Sequence, residues 1–238
     1  MDIYLSVWDK IKSIVRDIKN SNLRSVVFDI IEEPYITFTD VRPKINLLES
    51  PAAPKKHHAY PGGLVEHTLS VTMLSINIAE VYRKVYGASI DVDLVAATAI
   101  LHDLFKYYQY EYDELIEGFR TRSDWYIPHD YAMAIELAKR GAPDKLIRCI
   151  IETHGNVPHT MIESLIVHSA DSIDANIVSK LQDIIWSACS DLEAELNMPA
   201  IKIFNRALRR SRIIKLMEVY YSSGRSGLRE YIKKIISD

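Results

Sequence analysis

Histidine and aspartate are the residues of this chain whose positions point to chemistry. All eight histidines of the 238 residues lie between positions 57 and 168. Several of them stand on apolar helical patterns: His67 shares a stripe with Val71 and Ile78, and His102 follows the apolar run at 93–101. Because a cation compensates for the cost of burying carboxylates beside imidazoles, this arrangement predicts a divalent metal ion.

The chain contains two His-Asp pairs, and their positions in the helical pattern differ. His102-Asp103 ends a segment that is apolar nearly all round and therefore buried. His129-Asp130 follows Pro128 at a helix start, where an aspartate serves as a cap or favours the helix dipole. A single histidine on an apolar face is most often an ordinary core residue, so the metal prediction depends on three helices together, the third carrying Asp171 on its inward stripe.

The order of these residues resembles a known family. His67, His102-Asp103 and Asp171 are similar to the metal signature of the HD-domain metal-dependent phosphohydrolases, an all-helical superfamily. Four strings resemble the HD half of bacterial 3′-to-5′ exoribonucleases that join an OB-fold to an HD domain: PAAPKKHHAYPGGLVEHTLSV at 51–71, AILHDLFKYYQY at 99–110, THG at 153–155 and LIVHSADSIDAN at 165–176. The resemblance covers about residues 50–178.

The resemblance implies a centre for one or two divalent ions. It assigns the first ion to His67, His102, Asp103 and Asp171. It assigns the second to Asp103 as a bridge, with His129 and His154. Nitrogen and oxygen ligands without thiolate suit Mn, Fe, Co or Ni, with Mg as a further candidate.

Such a centre predicts hydrolysis of a phosphate ester. Two divalent ions and two aspartates leave a net charge of about +2, which attracts phosphate, and a metal-bound water becomes acidic enough to supply hydroxide near neutral pH. Asp103 is then a catalytic group. Lys106, which matches the lysine of the family's HD-x-x-K string, is expected to bind and stabilise the phosphoryl oxygens. The expected substrate is a nucleotide or a short RNA or DNA, and monoester and diester cleavage remain alternatives.

Other residues are candidates to surround the substrate. His57 and His58 lie in the loop before the helix of His67, and we expect His58 to be catalytic and His57 to bind substrate. Arg122 is a second candidate for substrate binding, in an aromatic segment at 109–128 that could form a lid. Simple loop packing is the alternative for both groups.

Two residues flank Asp171 on one helical face. His168 and Asp174 lie three positions to either side of it, and we expect them to orient the metal ligands through hydrogen bonds. A structural role is the alternative.

Residues 202–215 carry six positive charges and no acid, which is compatible with nucleic-acid contact or with a solvated helix face.

Two departures from the family pattern favour other functions. Leu104-Phe105 stand where the family often has Ile-Gly, and Thr153-His154-Gly155 stand where it has a paired His-His-Gly. The main alternative is therefore an inactive HD domain that binds a nucleotide as a sensor or partner module. A third is an oxidative enzyme with two irons, because some members of the superfamily use this ligand set with O₂.

Composition is that of a globular protein, with 48% hydrophobic and 26% charged residues and a net charge of −3. No apolar run reaches about 18 residues, and no basic flank precedes an apolar stretch near the start, so we expect a cytoplasmic protein with no membrane contact. Cys149 and Cys189 lie in apolar patterns and are expected to be buried thiols. The oligomeric state stays open.

Hydrophobic periodicity predicts one all-α domain spanning 1–238, and the resemblance implies that this domain is a single HD-type helical bundle. The metal-binding core is expected at about 50–178, with flanking helices in 1–33 and 191–238. Prolines make 34–61 a loop, with a short extended piece at 35–39, and the segment 109–128 is irregular. Helices are predicted at 2–19, 22–32, 63–86, 91–107, 129–140, 143–153, 160–189, 199–221 and 227–237.

Overall fold

The computed structural model describes residues 2–54 and 56–237 of the chain and confirms the all-α prediction. Two short strands, β1 (Tyr110–Asp113) and β2 (Gly118–Thr121), form the sheet seen in these residues. The helices are α1 (Asp2–Asp17), α2 (Ser21–Glu32), α3 (Gly63–Tyr86), α4 (Val92–Leu101), α5 (His129–Lys139), α6 (Asp144–Thr153), α7 (Ile162–Asp191), α8 (Glu193–Leu196), α9 (Ala200–Arg210) and α10 (Ile213–Ser237).

Local signals set most helix boundaries. The α3 helix ends at Gly87, whose φ of 65° closes the last turn in the left-handed conformation that glycine adopts freely. The side chain of Asp91 caps α4 by accepting the Leu94 N–H at 3.1 Å. These two ends agree with the sequence prediction.

Two predicted helices have different bounds in the structure. The helix predicted at 91–107 ends at Leu101, and a 3-10 segment at Leu104–Gln109 follows the turn of His102 and Asp103. That turn lets both polar side chains face the same interior site while Phe105 and Tyr108 enter the core. The helix predicted at 199–221 is divided into α9 and α10, and Gly224 interrupts α10 with a φ of 65°.

The core consists of three hydrophobic clusters, and α3, α4 and α7 link them. The first cluster joins α1, α2, α4, α5 and the 3-10 segment. The second joins the C-terminal half of α7 to α9 and α10, and the third lies between α3, α4 and α7. Because α3, α4 and α7 pack on one another through buried apolar side chains, polar residues on their facing sides are held at fixed separations.

The segments at 34–54 and 56–61 form an ordered strap rather than a free connection. The buried carboxylate of Glu136 on α5 accepts the Thr37 N–H at 2.8 Å and also pairs with Arg140. The hydroxyl of Tyr108 accepts the Ile36 N–H at 3.0 Å, and the hydroxyl of Tyr110 donates to the Ala52 carbonyl at 3.1 Å. The extended piece predicted at 35–39 forms no strand, because its backbone groups bond to side chains.

The segment at 109–128 contains a β-hairpin held by α9. Tyr110 pairs with Thr121 and Asp113 with Gly118 in antiparallel register. Arg206 on α9 donates two hydrogen bonds to the Glu117 carboxylate, at 2.7 and 2.8 Å. A Cβ on Gly118 would lie 2.2 Å from the side-chain amide of Asn205, so any larger residue here would displace that amide. The hairpin is thus fixed to the C-terminal helices.

Among the described residues, no helix is both long enough and apolar enough to traverse a bilayer.

Removing the Glu136 carboxylate is expected to destabilise the fold. Glu136→Ala leaves Thr37 and Arg140 without their buried partner, so the free energy of unfolding should fall by about 2–4 kcal/mol. The matched variant Glu32→Ala breaks the exposed Lys12–Glu32 pair and should cost less than about 1 kcal/mol. Urea unfolding followed by circular dichroism measures both values, and equal losses would contradict this account of the strap.

Candidate metal centre

Four helices and the turn after a fifth bring six polar side chains to a single site. His67 comes from α3, His102 and Asp103 from the turn after α4, and all three are fully buried. The other three lie nearer the surface, at the first residue of α5, the end of α6 and the middle of α7: His129, His154 and Asp171. The site therefore has a closed side at α3 and α4 and an open side at α5, α6 and α7.

Four of these residues form a first group. The Nε2 atom of His67 lies 3.2 Å from Asp103 Oδ2 and 3.1 Å from Asp171 Oδ1. The Nε2 atom of His102 lies 3.6 and 4.0 Å from the same two oxygens. Atoms that each bind one ion at about 2.1 Å lie roughly 3–4 Å from one another, so the four groups fit a common divalent ion.

A second group uses the other oxygen of the same carboxylate. Asp103 Oδ1 lies 3.0 Å from His129 Nε2 and 3.6 Å from His154 Nε2, and the two histidine nitrogens are 3.0 Å apart. Asp103 therefore directs one oxygen into each group. This is the geometry of a carboxylate that can bridge two ions.

Unsatisfied polar atoms at the centre of the site support a bound cation. Four fully buried atoms have no hydrogen-bond partner in the described part of the chain: His67 Nε2, His102 Nε2 and both carboxylate oxygens of Asp103. A buried polar atom without a partner costs roughly 1–3 kcal/mol, and a buried charge costs more. Lys106 Nζ lies 2.5 Å from Asp103 Oδ2 and offsets part of that charge. Divalent ions would satisfy all four atoms.

Hydrogen bonds behind the histidines fix which nitrogen faces the site. His67 Nδ1 lies 2.6 Å from Asp174 Oδ2, and His102 Nδ1 lies 2.8 Å from the Ala99 carbonyl. Each Nδ1–H thereby donates to an oxygen and leaves Nε2 with its lone pair toward the centre. Asp174 is held in turn by the Ser70 hydroxyl at 2.5 Å.

His168 supports the site from a greater distance. Its Nδ1 lies 2.8 Å from the Thr153 carbonyl, so it orients the turn that carries His154 and makes no hydrogen bond with Asp171. Gly155 follows in that turn with a φ of 70°. The structure therefore brings both flanking residues of α7 to the site, Asp174 against His67 and His168 against the His154 turn.

The field of the site favours neutral histidines and ionised carboxylates. Burial lowers the pKa of His102, His129 and His154, which keeps them in the form that binds metal. Burial raises the pKa of Asp103, but the Lys106 ammonium and the surrounding histidines outweigh it and hold that pKa well below its usual range.

The pKa of His67 is raised, in contrast to the pKa values of the other three histidines. Burial lowers its pKa, yet the three carboxylates around it, those of Asp103, Asp171 and Asp174, raise that pKa well above the usual value. The same carboxylates attract a divalent ion, which competes with the proton for Nε2.

His57 and His58 lie on the inner side of the strap, beside His67. Their ring centroids are 4.9 and 5.1 Å from that of His67. Burial lowers the pKa of His57 to about 4 and that of His58 to about 3, so both are neutral near pH 7. A Cβ on Gly63 would lie 2.2 Å from the His58 carbonyl oxygen, so this glycine lets the loop approach α3.

Arg122 does not join the site. Its guanidinium donates to both oxygens of Asp124 and to the carbonyls of Arg42 and Tyr108, so its donors are used in holding the hairpin base against the strap. These contacts favour a structural role for Arg122 over the predicted contact with substrate.

Phe105, which stands where the family often has glycine, is a core residue. Its ring is 1% exposed, with the ring of Tyr108 at 6.0 Å. Leu104, the other departure in this string, is also fully buried.

Most positive charges at 202–215 are already engaged within the protein. Arg206 pairs with Glu117, Arg212 with Glu66 and Lys215 with Glu218. Arg209 stacks over the Tyr112 ring at 5.0 Å. These contacts favour a role in attaching α9 to the hairpin over nucleic-acid binding.

Sequence reasoning missed two glutamines at the site. Gln109 Nε2 lies 3.4 Å from His129 Nδ1, behind the second group. Gln182 bonds to the backbone of the loop that carries His57 and His58. Only the helical spacing of Gln182 from Asp174 and Val178 could have indicated the second of these.

Comparison with known proteins agrees with this geometry. The HD domain family matches residues 64–176. The dihydroneopterin 2′,3′-cyclic phosphate phosphodiesterase of Methanocaldococcus jannaschii is 31% identical over 233 residues, which are 96% of this chain and 90% of that protein.

Bacterial nucleases match over a shorter stretch. The 3′-5′ exoribonuclease YhaM of Bacillus subtilis is 28% identical over 183 residues, and that of Bacillus velezensis is 27% identical over 184 residues. Each match covers 71% of this chain but only about half of the nuclease, 53% and 54% respectively. No solved structure matches the chain.

Asp174 offers a test of the metal centre. Asp174→Asn removes the charge that holds the Nδ1–H of His67, so the affinity for Mn²⁺ should fall about 10- to 100-fold. Asp183→Asn makes the same change on an exposed position of α7 and should leave the affinity unchanged. Calorimetric titration of the metal-free proteins measures both, and equal affinities in the two variants would refute the support assigned to Asp174.

Proposed function

This chain belongs to the HD-domain family, and on that premise we propose that it is a metal-dependent phosphodiesterase. The observation that carries the proposal is the single buried carboxylate of Asp103, which faces two groups of histidines with one oxygen each. The fold, the family and the phosphohydrolase class agree with a hydrolytic enzyme. That the ester is a phosphodiester rather than a phosphomonoester is our more specific proposal.

We propose the same six metal ligands that the sequence implies. His67, His102, Asp103 and Asp171 would hold one ion, and Asp103 with His129 and His154 would hold a second. Bound ions of the Mn, Fe, Co or Ni type would supply an acidic water and a positive site for phosphate. The second site has three protein ligands and lies on the open side, where substrate can approach.

Residues of the chain would then bind and orient the ester. Lys106 lies beside Asp103 with its side chain 13% exposed, so its ammonium can reach both the carboxylate and a phosphoryl oxygen. Asp103 acts by holding both metal groups at a fixed separation. His57 reaches the same region from the strap.

The assignment of the two strap histidines changes. The ring nitrogens of His58 face His57 at 3.1 Å and Asp174 at 3.6 Å. His57 Nε2, in contrast, has no hydrogen-bond partner in the described residues. We therefore propose that His57 contacts substrate and that His58 holds His57, in place of the direct catalytic role predicted for His58.

The substrate we favour is a small cyclic phosphodiester attached to a heterocycle. The relative that shares nearly the whole length of the chain is named for such a substrate. The exoribonucleases share the HD region and extend well beyond it, so RNA hydrolysis is a second candidate, restricted to short strands.

We also propose that 1–238 form one domain around a core at about 50–178, because α1 and α2 share a hydrophobic cluster with α4.

A paired substitution tests the proposed activity. Asp103→Asn removes the bridging charge and should lower the Mn²⁺-dependent hydrolysis of 2′,3′-cyclic nucleotides by at least about 10³-fold. Asp130→Asn makes the same change in the other His-Asp pair and should stay within about threefold of the wild type. Phosphate-ester products are quantified by chromatography, and thermal melting shows whether each variant is folded.

The two alternatives give different results in the same assay. An inactive binding module would leave cyclic nucleotides and short RNA intact with every metal, while ligand still raised the melting temperature. An oxidative enzyme would contain iron and consume O₂. Either result, obtained with folded and metal-loaded wild-type protein, would overturn the proposal.

A further inference from the structure

The loop that carries His57 and His58 is fixed by one side chain of α7. The Gln182 Oε1 atom accepts the Ala59 N–H at 2.8 Å, and its Nε2 donates to the Lys56 carbonyl at 3.3 Å. The two bonds flank the histidine pair on both sides in sequence. Gln182 is 6% exposed, so both ends of its amide are committed to this loop.

The loop would not hold its shape without such bonds. His58 has a φ of 46°, a left-handed conformation that is unfavourable for a residue with a side chain. Its carbonyl accepts the Ala52 N–H at 3.1 Å, and the His57 carbonyl accepts the Ala53 N–H at 3.2 Å. The backbone of the pair is therefore held by the strap on one side and by Gln182 on the other.

A chain of contacts runs from Asp174 through the pair. The carboxylate of Asp174 lies 3.6 Å from His58 Nε2, and its charge favours the tautomer with hydrogen on that nitrogen. His58 Nδ1 then has a lone pair and accepts the His57 Nδ1–H at 3.1 Å. The nitrogen that remains is His57 Nε2, which keeps its lone pair and has no hydrogen-bond partner in the described residues.

The position of Gln182 on α7 connects it to the metal centre. It lies eight residues after Asp174, on the i, i+4, i+8 track through Val178, and about 12 Å farther along the helix axis. One rigid helix thus carries a proposed metal ligand, the carboxylate behind His67 and the residue that fixes the histidine loop.

We infer that Gln182 is a positioning residue, which holds His57 in the orientation that contacts substrate without touching substrate or metal itself. This inference rests on the proposed function. It separates the binding of metal, which depends on Asp171 and Asp174, from the placement of His57, which depends on Gln182.

A double-mutant cycle tests the inference. With adenosine 2′,3′-cyclic phosphate and Mn²⁺, Gln182→Ala should lower kcat/KM about 10-fold in the wild-type background but less than about twofold in the His57→Ala background, because its effect passes through His57. Gln182→Glu keeps the acceptor for Ala59 and should recover most of the loss. Asp183→Ala, its exposed neighbour, should match the wild type.

Two further measurements make the outcome decisive. The Mn²⁺ affinity of Gln182→Ala should equal that of the wild type, and ¹⁵N NMR of the Mg²⁺-bound protein should show His57 protonated at Nδ1 and His58 at Nε2. Losses that multiply in the double mutant, or wild-type kinetics in Gln182→Ala, would overturn the inference. Failure of the wild type to cleave any phosphodiester would overturn the proposed function instead, and the NMR tautomers would still test the inference.

Discussion

The structure depends on the burial of one carboxylate. Asp103 is inaccessible to solvent, its two oxygens have no hydrogen-bond partner in the described residues, and one lysine lies beside it. An ionised group in such a place is stable only if cations and directed dipoles surround it. The ends of α4, α5 and α6 and the middle of α7 converge on this group, which explains why each of them carries a histidine or an aspartate at that point.

The long helix α7 organises both sides of the site. Asp171 faces the first metal group, Asp174 fixes the tautomer of His67, and Gln182 fixes the histidine loop. Because α7 packs against α3 and α4 through Val167 and Ala170, these polar groups share one frame with His67 and Asp103. A shift of the helix would therefore displace the polar groups on both sides of the site together.

The outer helices contribute to the site indirectly. α9 holds the hairpin through Arg206 and Asn205, and Tyr110 at the start of that hairpin bonds to the strap. The basic character of α9 therefore has a structural explanation. The hairpin follows the segment of Lys106 in the chain, so fixing it also limits the movement of that lysine.

The fold class and the family of the chain can be predicted from its residues alone. Apolar periodicity predicts the helices, and histidines on buried stripes indicate a cation, because few other partners satisfy several buried imidazoles and acids. The family follows from the order of His67, His102-Asp103 and Asp171 together with four short strings, each of which is weak by itself. These signals are local, and each depends only on residues within a few helical turns.

The contacts of the connecting residues follow from the packing of distant segments. Arg122 is a candidate for substrate binding in the sequence, yet it bonds to Asp124. Phe105 is a departure from the family pattern, yet it lies in the core. Gln182 carries no chemical signal, but its amide meets a loop 123 residues earlier in the chain. Such pairings depend on which surfaces the packed helices bring together, and no local pattern encodes them.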